Sequence, residues 1–512
     1  MKNRVSVIVL SLVALSATIA AEPAVAPPVA LRFDELVALS QKGVLDPALE
    51  NKLKTVLEST TVENSGDDPP HRPLVPGLGR VLRIAAWNVN HGLNYDQIRM
   101  ALSGSDELSR SASGPSIQSQ LRILRDADVI LLSEVDLGVK RTDYHDIARE
   151  LAHALGMNYA FGVEFIEVDR LEDLGLETAK LDDPVLSRQM NDQLRPDPAL
   201  YRGLEGNVIL SRYPIRNTRI VRLPICHDWF ETELTAISAL EKGKRMAANK
   251  LFLARIEKEV RRGGRMALIA DLTIPGIPGE TATVVSVHLE NKCKPGCRAE
   301  QMEAVLAAVR GINHPVILGG DFNTTGTDGT STTIRRELMQ RVKNYEFWAM
   351  QALKWGTPAG LPLLASAPVT YFRTYKDPTS FNVPVVSGNK EAKLFRKLEG
   401  FRFADGRAFD FRGDEDRNLH GRSRTLANSN QRTGKGFEPT FTLKRDFGGL
   451  VGRYKLDWMF VSPFITETRR ADMSYIFAPH NPLTMRDLNN TIEDGISDHV
   501  PITVDLPFEE PE

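Results

Sequence analysis

Apolar stretches of this chain carry, at their ends, residues of the types that hold metals, phosphates or protons. Asn88 follows Ile84-Ala-Ala-Trp87, Glu134 closes Val129-Ile-Leu-Leu-Ser133, and His288 closes Val284-Val-Ser-Val287. Asp321 and Asn323 follow Val316-Ile-Leu-Gly-Gly320, Asp457 precedes Trp458-Met-Phe-Val461, and Asp498 and His499 precede Val500-Pro-Ile-Thr-Val504. A half-buried polar group costs free energy unless it has partners. Singly, each has a plain explanation: Asn88 as a turn former, Glu134 as an exposed strand end, His288 as a core histidine, Asp498 and His499 as a local ion pair. Together they form a set of hard oxygens, amides and imidazoles. Carboxylate and amide oxygens without a Cys/His ligand cluster suit Mg²⁺, Mn²⁺ or Ca²⁺ rather than structural zinc, and Mg²⁺ leaves positions for phosphate oxygens. Histidines beside such an ion can stabilise developing negative charge or pass a proton, and a carboxylate paired with an imidazole fixes its tautomer. That inventory describes metal-assisted attack of water on a phosphoester.

These residues share a site only if the strands that bear them lie side by side, so that their ends line one cleft. Hydrophobic patterning predicts strands at 81–87, 129–132, 159–168, 207–211, 267–274, 283–288, 316–318, 456–461 and 502–506. Helical spacing appears at 31–41, 48–57, 117–126, 145–155 and 298–309. Strands and helices interleave without a fixed repeat, which argues for one large layered α/β domain. Short strand-to-strand hops, such as Ser211 to Arg219 through Tyr213-Pro214, imply much antiparallel pairing rather than a doubly wound parallel sheet. No dinucleotide fingerprint, Walker loop, Gly-x-Ser-x-Gly elbow or His-Glu-x-x-His occurs. Residues 60–79 read as a linker or extended arm, and 171–202, 228–262 and 324–449 as insertions. The middle insertion reads as a solvated helix face.

Seven segments occur in a family's order: Trp87-Asn88-Val-Asn90, Ser133-Glu134-Val-Asp136, Gly206-Asn-Val-Ile-Leu-Ser-Arg-Tyr-Pro-Ile215, Val287-His288-Leu289, Gly320-Asp321-Phe-Asn323, Leu456-Asp457-Trp458 and Ser497-Asp498-His499. They resemble the endonuclease/exonuclease/phosphatase superfamily, the deoxyribonuclease I-like fold. The resemblance implies a four-layer α/β sandwich, two packed mixed sheets flanked by helices. It implies Glu134 as the main Mg²⁺ ligand, Asn88 beside it on metal or phosphate, and Asp498 near the metal. Asp321 would orient or activate the attacking water, and Asn323 would hold a phosphate oxygen. His499, oriented by Asp457, and His288 would contact the scissile phosphate. Asn90 stands where many members have Asp and Ser133 where Gln is common, and the stretch between Asp321 and Asp457 is longer than compact members need.

The chain opens with Lys2 and Arg4, an apolar run from Val5 to Ala17, and small residues to Ala21. That is the build of a cleaved signal peptide over 1–21, and the run is shorter than the ~18–20 residues of a membrane span. Residues 22–79 follow as an N-terminal helical segment and linker, and 80–508 as the catalytic domain. The expectation is an exported protein, periplasmic or secreted, with no integral span after signal cleavage. Among Cys226, Cys293 and Cys297, a Cys293–Cys297 bridge across the Pro295-Gly296 turn is favoured; a zinc half-site is the alternative.

Lys+Arg 64 against Asp+Glu 66 gives a net charge of −2, so no global basic surplus points to nucleic acid. Arg412–Arg445, with Phe437 and Phe441 interleaved, reads as a nucleic-acid surface or a solvated insertion. The leading expectation is a divalent-metal-dependent phosphoesterase acting on phosphodiesters, nuclease-type. A phospholipid or inositol-phosphate esterase, with Trp348, Trp355 and Leu361-Pro-Leu-Leu364 at a membrane, is the alternative within the enzymes. A binding protein on the same fold is the alternative outside them.

Overall fold

The computed structural model describes residues 30–105, 107–108, 115–168, 196–234, 259–324, 390–410, 429–433, 436–442, 453–462, 480–490 and 495–509. The expected signal peptide, Trp348, Trp355, Leu361–Leu364 and most of Arg412–Arg445 lie outside them.

The first strands in chain order are β1 (Thr60–Glu63), β2 (Leu74–Val75), β3 (Gly79–His91), β4 (Val129–Leu137), β5 (Asn158–Glu167) and β6 (Leu204–Ser211). Next come β7 (Ile215–Arg222), β8 (Arg261–Gly263), β9 (Met266–Thr273), β10 (Thr281–His288) and β11 (Val316–Asp321). Two short pairs follow: β12 (Arg432–Thr433) with β13 (Gly436–Phe437), and β14 (Phe441–Thr442) with β15 (Arg453–Tyr454). The last strands are β16 (Asp457–Val461), β17 (Asn481–Thr484) and β18 (Ile502–Pro507).

One sheet runs β1-β5-β6-β4-β3-β18-β17, with β2 joined to β3 and β8 to β5; the other runs β16-β11-β10-β9-β7. Each is mixed: β3 and β4 are parallel, as are β10 and β11, while the remaining pairs are antiparallel.

The period-2 alternation of the strands sets the layers. On β3, Leu82, Ile84 and Ala86 enter the core between the sheets, while Ala85, Trp87 and Val89 face the other way. There they meet helices Tyr95–Ser103, Pro115–Arg125 and Ile147–Leu155 through Ile98, Leu121, Leu124, Leu151 and Leu155. On β10, Ala282 and Val284 face the inter-sheet core, and Val285 and Val287 face helices Pro295–Val309 and Ala392–Gly400. The result is helices, sheet, sheet, helices, the four-layer sandwich expected. Each buried Leu, Ile or Val contributes about 1.5–3 kcal/mol, so the three contiguous cores supply a rigid frame.

The N-terminal helices expected at 31–41 and 48–57 form as Phe33–Ser40 and Pro47–Glu58, the second capped by Asp46 on the Leu49 amide. The stretch 60–79 is not a free linker. Thr60–Glu63 adds β1 antiparallel to β5, and Leu74–Val75 pairs with β3. Thr and Val suit a pleated edge, and β1 covers the open side of β5.

The cysteine pairing also differs from expectation: Cys226 bridges Cys297, with Cα atoms 5.9 Å apart, and Cys293 is free. Pro295 opens the helix, so Cys297 sits in its first turn beside the loop that carries Cys226. Cys293 lies ahead of the cap, its Sγ 3.4 Å from the Glu290 carbonyl oxygen and 3.6 Å from Arg298 Nη1. Phe437 packs on Trp458 and Phe441 on His499, each with centroids 5.0 Å apart. Among the described residues, no helix is long and apolar enough to cross a membrane.

Candidate active site

Strand polarity brings the polar ends together. β3, β4, β10 and β11 finish at one edge of the sandwich, and β16, antiparallel to β11, starts there. In register, His288 lies opposite Asp321, Asp321 opposite Asp457, and Asn88 opposite Ser133. The segment before β18 carries Asp498 and His499 to the same edge. Ser497 Oγ donates to the Asn88 carbonyl oxygen at 2.8 Å, and Trp87 Nε1 donates to the His499 carbonyl oxygen at 3.0 Å. Phe441 bridges to His499 from the other side.

Two irregularities aim the side chains. β4 slips register between Leu132 and Val135, so Val135 returns to the face of Ile130 and Leu132 while Glu134 is the extra residue, with φ 53°. A β-bulge re-aims one side chain in this way. β3 slips between Asn88 and His91, where Asn90 and His91 have φ of 49° and 62°. Left-handed backbone at non-glycine residues costs on the order of 1–3 kcal/mol and clusters where function demands it. Gly320, just before Asp321, has φ 135°, and a Cβ there would run into the Val287 carbonyl oxygen. Only glycine lets β11 lie this close to β10.

Asp321 is the hub. Its Oδ2 accepts from Asn88 Nδ2 at 3.1 Å and lies 3.7 Å from Nε2 of both His288 and His499; its Oδ1 accepts from the Asn323 amide at 2.9 Å. His499 Nδ1 is 2.8 Å from Asp457 Oδ2. Burial alone would push this imidazole down, but the carboxylates of Asp457 and Asp321 outweigh it and hold it well above the usual histidine value. Asp457 is itself fixed by Thr440 Oγ1, which accepts from its amide at 3.0 Å.

His288 is fully buried and faces Glu134 Oε1 at 3.6 Å through Nε2, with Glu164 Oε2 at 3.2 Å from Nδ1. Arg265 Nη1 sits against both ring nitrogens, at 2.7 and 3.1 Å, and donates to Glu164 Oε1 at 3.2 Å. Burial and Arg265 lower this imidazole, and Glu164 and Asp321 more than offset them, so it rises. Glu134 and Asp498 both rise, burial being the largest cause in each, and Asp498 adds to the rise of Glu134. Asn88 Oδ1 accepts from the Asn90 amide, and Asn323 Nδ2 donates to the Leu289 carbonyl oxygen at 3.0 Å. Each of these amides keeps a further lone pair or N–H for a ligand.

All eight residues singled out in the sequence therefore stand at this edge, joined through Asp321, Glu134 and Ser497. Sequence reasoning missed Glu164, Arg265 and His91, and it gave no role to Asp136 or Glu205. Glu164 and Glu205 sit in apolar β5 and β6, and Arg265 adjoins β9. Glu164 interrupts the apolar run Val163-Glu164-Phe165-Ile166, a cue of the kind that marked Glu134, whereas Glu205 and Arg265 adjoin glycines and His91 follows Asn90, so those three carried no such cue. Among the described residues, donor atoms close enough to share an ion occur in His91/Asp136/Glu205 and in Asp321/Asp457/His499. The first group is already neutralised by arginine: Arg141 Nε and Nη2 donate to Asp136 at 2.7 and 2.8 Å, and Arg261 Nη1 to Glu205 at 2.6 Å.

A model of the Endonuclease/Exonuclease/phosphatase family matches residues 85–499. No curated protein matches the chain in sequence. Among solved structures, an endonuclease/exonuclease/phosphatase from Beutenbergia cavernae is 14% identical with a TM-score of 0.38, over 84% of this chain and 72% of that one. The human Nocturnin catalytic domain is 12% identical with a TM-score of 0.35, over 88% and 96%. The 3'-5' exonuclease NExo from Neisseria meningitidis is 13% identical with a TM-score of 0.36, over 83% and 99%.

Proposed function

The chain belongs to the endonuclease/exonuclease/phosphatase family, and from that premise we propose that it is an exported, divalent-metal-dependent phosphoesterase that hydrolyses phosphodiester bonds, nuclease-type. The observation that carries this reading is Asp321 Oδ2 placed 3.7 Å from Nε2 of two buried histidines, His288 and His499. Two imidazoles and a carboxylate thus converge on one point of the edge, a set able to contact one phosphoryl group presented to them.

The donor chemistry fits a hard divalent cation. Glu134, Asn88 and Asp498 offer oxygens only, and burial leaves the two carboxylates short of positive charge. These three residues would hold the ion, which when bound supplies charge neutralisation and a more acidic water. Asp321 then orients the attacking water and accepts its proton, with Asn88 Nδ2 fixing the carboxylate. His499, kept cationic by Asp457, donates from Nε2 to a phosphoryl oxygen as negative charge develops. His288, held by Glu164 and Arg265, would contact the same phosphate. Asn323 holds a phosphate oxygen through its second amide hydrogen.

Five carboxylates, Glu134, Glu164, Asp321, Asp457 and Asp498, gather around two imidazoles and the Arg265 guanidinium, an acidic balance that disfavours a doubly charged monoester more than a singly charged diester. Export is supported by the N-terminal residues 1–21 and by the Cys226–Cys297 bridge, which belongs to an oxidising compartment. The test is turnover by the mature protein with Mg²⁺ or Mn²⁺ against EDTA, with His499→Ala as control. The panel holds bis-p-nitrophenyl phosphate, p-nitrophenyl phosphate, plasmid and single-stranded DNA, RNA, sphingomyelin and inositol phosphates. Metal-dependent cleavage of the diesters, lost in the variant, is expected. Preference for the monoester, or for sphingomyelin over nucleic acid, refutes the nuclease-type reading.

A further inference from the structure

His91 is the last residue of β3, beyond the register slip, with its side chain one-eighth exposed at 12%. Its Nδ1 lies 3.0 Å from Arg141 Nη2. A guanidinium only donates, so Nδ1 must keep its lone pair, and a neutral imidazole then carries its proton on Nε2. Two carboxylates near Nδ1 would favour the opposite tautomer, Asp136 at 3.7 Å and Glu205 at 3.6 Å. Both are already bound by arginines, Asp136 by Arg141 and Glu205 by Arg261. Arg141 is held in turn by Glu167 at 3.2 Å, and Arg261 by Glu259 and Glu205.

The proton-bearing nitrogen points at the site. His91 Nε2 lies 3.8 Å from Glu134 Oε2 and 3.9 Å from Glu259 Oε1. Both gaps are too long for a direct hydrogen bond, so Nε2–H lies beside the Glu134 and Glu259 carboxylates without bonding either. A metal at Nε2 is disfavoured, because that nitrogen has no lone pair in this tautomer. A metal at Nδ1 with Asp136 and Glu205 would sit beside the Arg141 guanidinium.

We propose that His91 is a further catalytic residue of this site: a neutral donor, locked by Arg141, whose Nε2–H binds a phosphoryl oxygen of the substrate seated in front of Glu134. This rests on the phosphoesterase reading for the identity of the substrate, and on the geometry alone for the donor. The network of half-buried Arg141 with buried Asp136, Glu205, Glu167 and Arg261 thereby acquires a role, since it sets one ring nitrogen as acceptor and so the other as donor. His91→Gln places an amide N–H near the position of Nε2 and keeps the donor. His91→Phe keeps the ring and removes it.

The test combines three readouts on the full mature protein. In ¹⁵N-histidine spectra, the signal absent from His91→Gln identifies His91. It is expected to show the Nε2-protonated tautomer and to shift at Nε2 when inorganic phosphate is added with Ca²⁺. Calorimetric Mn²⁺ affinity is expected to be the same in the wild type and both variants. The kcat on bis-p-nitrophenyl phosphate is expected to fall about 10²-fold in His91→Phe and to recover most of that in His91→Gln. An Nδ1-protonated ring, a clear loss of Mn²⁺ affinity in His91→Phe, or wild-type kcat in His91→Phe would each overturn the proposal. A wild type with no turnover on any phosphoester removes the functional reading instead. The tautomer and the phosphate-induced shift then still decide whether His91 is a phosphate donor.

Discussion

Asp457 Oδ2 holds His499 Nδ1 at 2.8 Å, and the same imidazole presents Nε2 to Asp321 at 3.7 Å. One ring is thus anchored by one carboxylate and aimed at another. Asp457→Asn keeps the shape and removes the charge, so kcat should fall by about 10²–10⁴-fold. The sign of the pH effect follows from the raised imidazole. Activity that needs cationic His499 persists through neutral pH in the wild type and is lost as pH rises through its elevated pKa. Removing Asp457 takes away the largest influence that raises this pKa, so the alkaline limb of the pH–rate profile should move to lower pH. An unmoved limb argues against a cationic role.

The segment bearing His499 depends on β18 being tied to β3. Arg83 donates from Nε and Nη2 to Asp505 Oδ1 and Oδ2 at 2.7 and 2.8 Å, and the two residues are direct cross-strand partners. Both are buried. Asp505→Ala should destabilise by about 3–5 kcal/mol in urea unfolding, whereas Arg83→Met with Asp505→Leu should recover most of the loss. A single variant as stable as the wild type contradicts the pairing.

Lys455 is buried, and among the described residues its Nζ has no hydrogen-bond partner. Burial pushes it down to about 7. An unfolded lysine titrates near about 10.4, so between these values the unfolded state binds more protons and stability rises with pH. Below about 7 both states are protonated and the penalty is complete. Lys455→Met should therefore stabilise by on the order of a few kcal/mol at pH 6, with a gain that shrinks toward pH 10. A gain independent of pH points to packing rather than charge.

Much of this site was legible in the sequence because it obeys one simple rule. Asn88, Glu134, His288, Asp321 and Asp457 stand where apolar strands stop, and strands sharing a sheet must stop somewhere together. Their partners were harder to read. Glu164 meets His288 across 124 residues and Arg265 across 101, so neither pairing leaves a local pattern. The bulge that turns Glu134 shows only in the register of β4. Thr60–Glu63 is too short and polar for a period-2 signal, and its strand state comes from the β5 edge it covers. The cysteine pairing failed for the same reason: proximity in sequence favoured Cys293, while the helix start at Pro295 offered Cys297 to Cys226.

That pairing is checkable by itself. Peptide mapping without reductant should recover Cys226 linked to Cys297 and one modifiable thiol, Cys293. The bridge spans a separation of 71 residues, which the chain-entropy model values at about 4 kcal/mol. Cys226→Ala should lower the urea midpoint accordingly. A Cys293–Cys297 peptide would restore the simpler sequence expectation.

The most direct test of a metal-dependent phosphoesterase site is bis-p-nitrophenyl phosphate turnover by the wild type and Glu134→Gln, each with Mn²⁺ and with EDTA. Turnover should require the metal, and Glu134→Gln should lose at least about 10²-fold of it. Hydrolysis that survives EDTA, or that Glu134→Gln performs at the wild-type rate, contradicts the account.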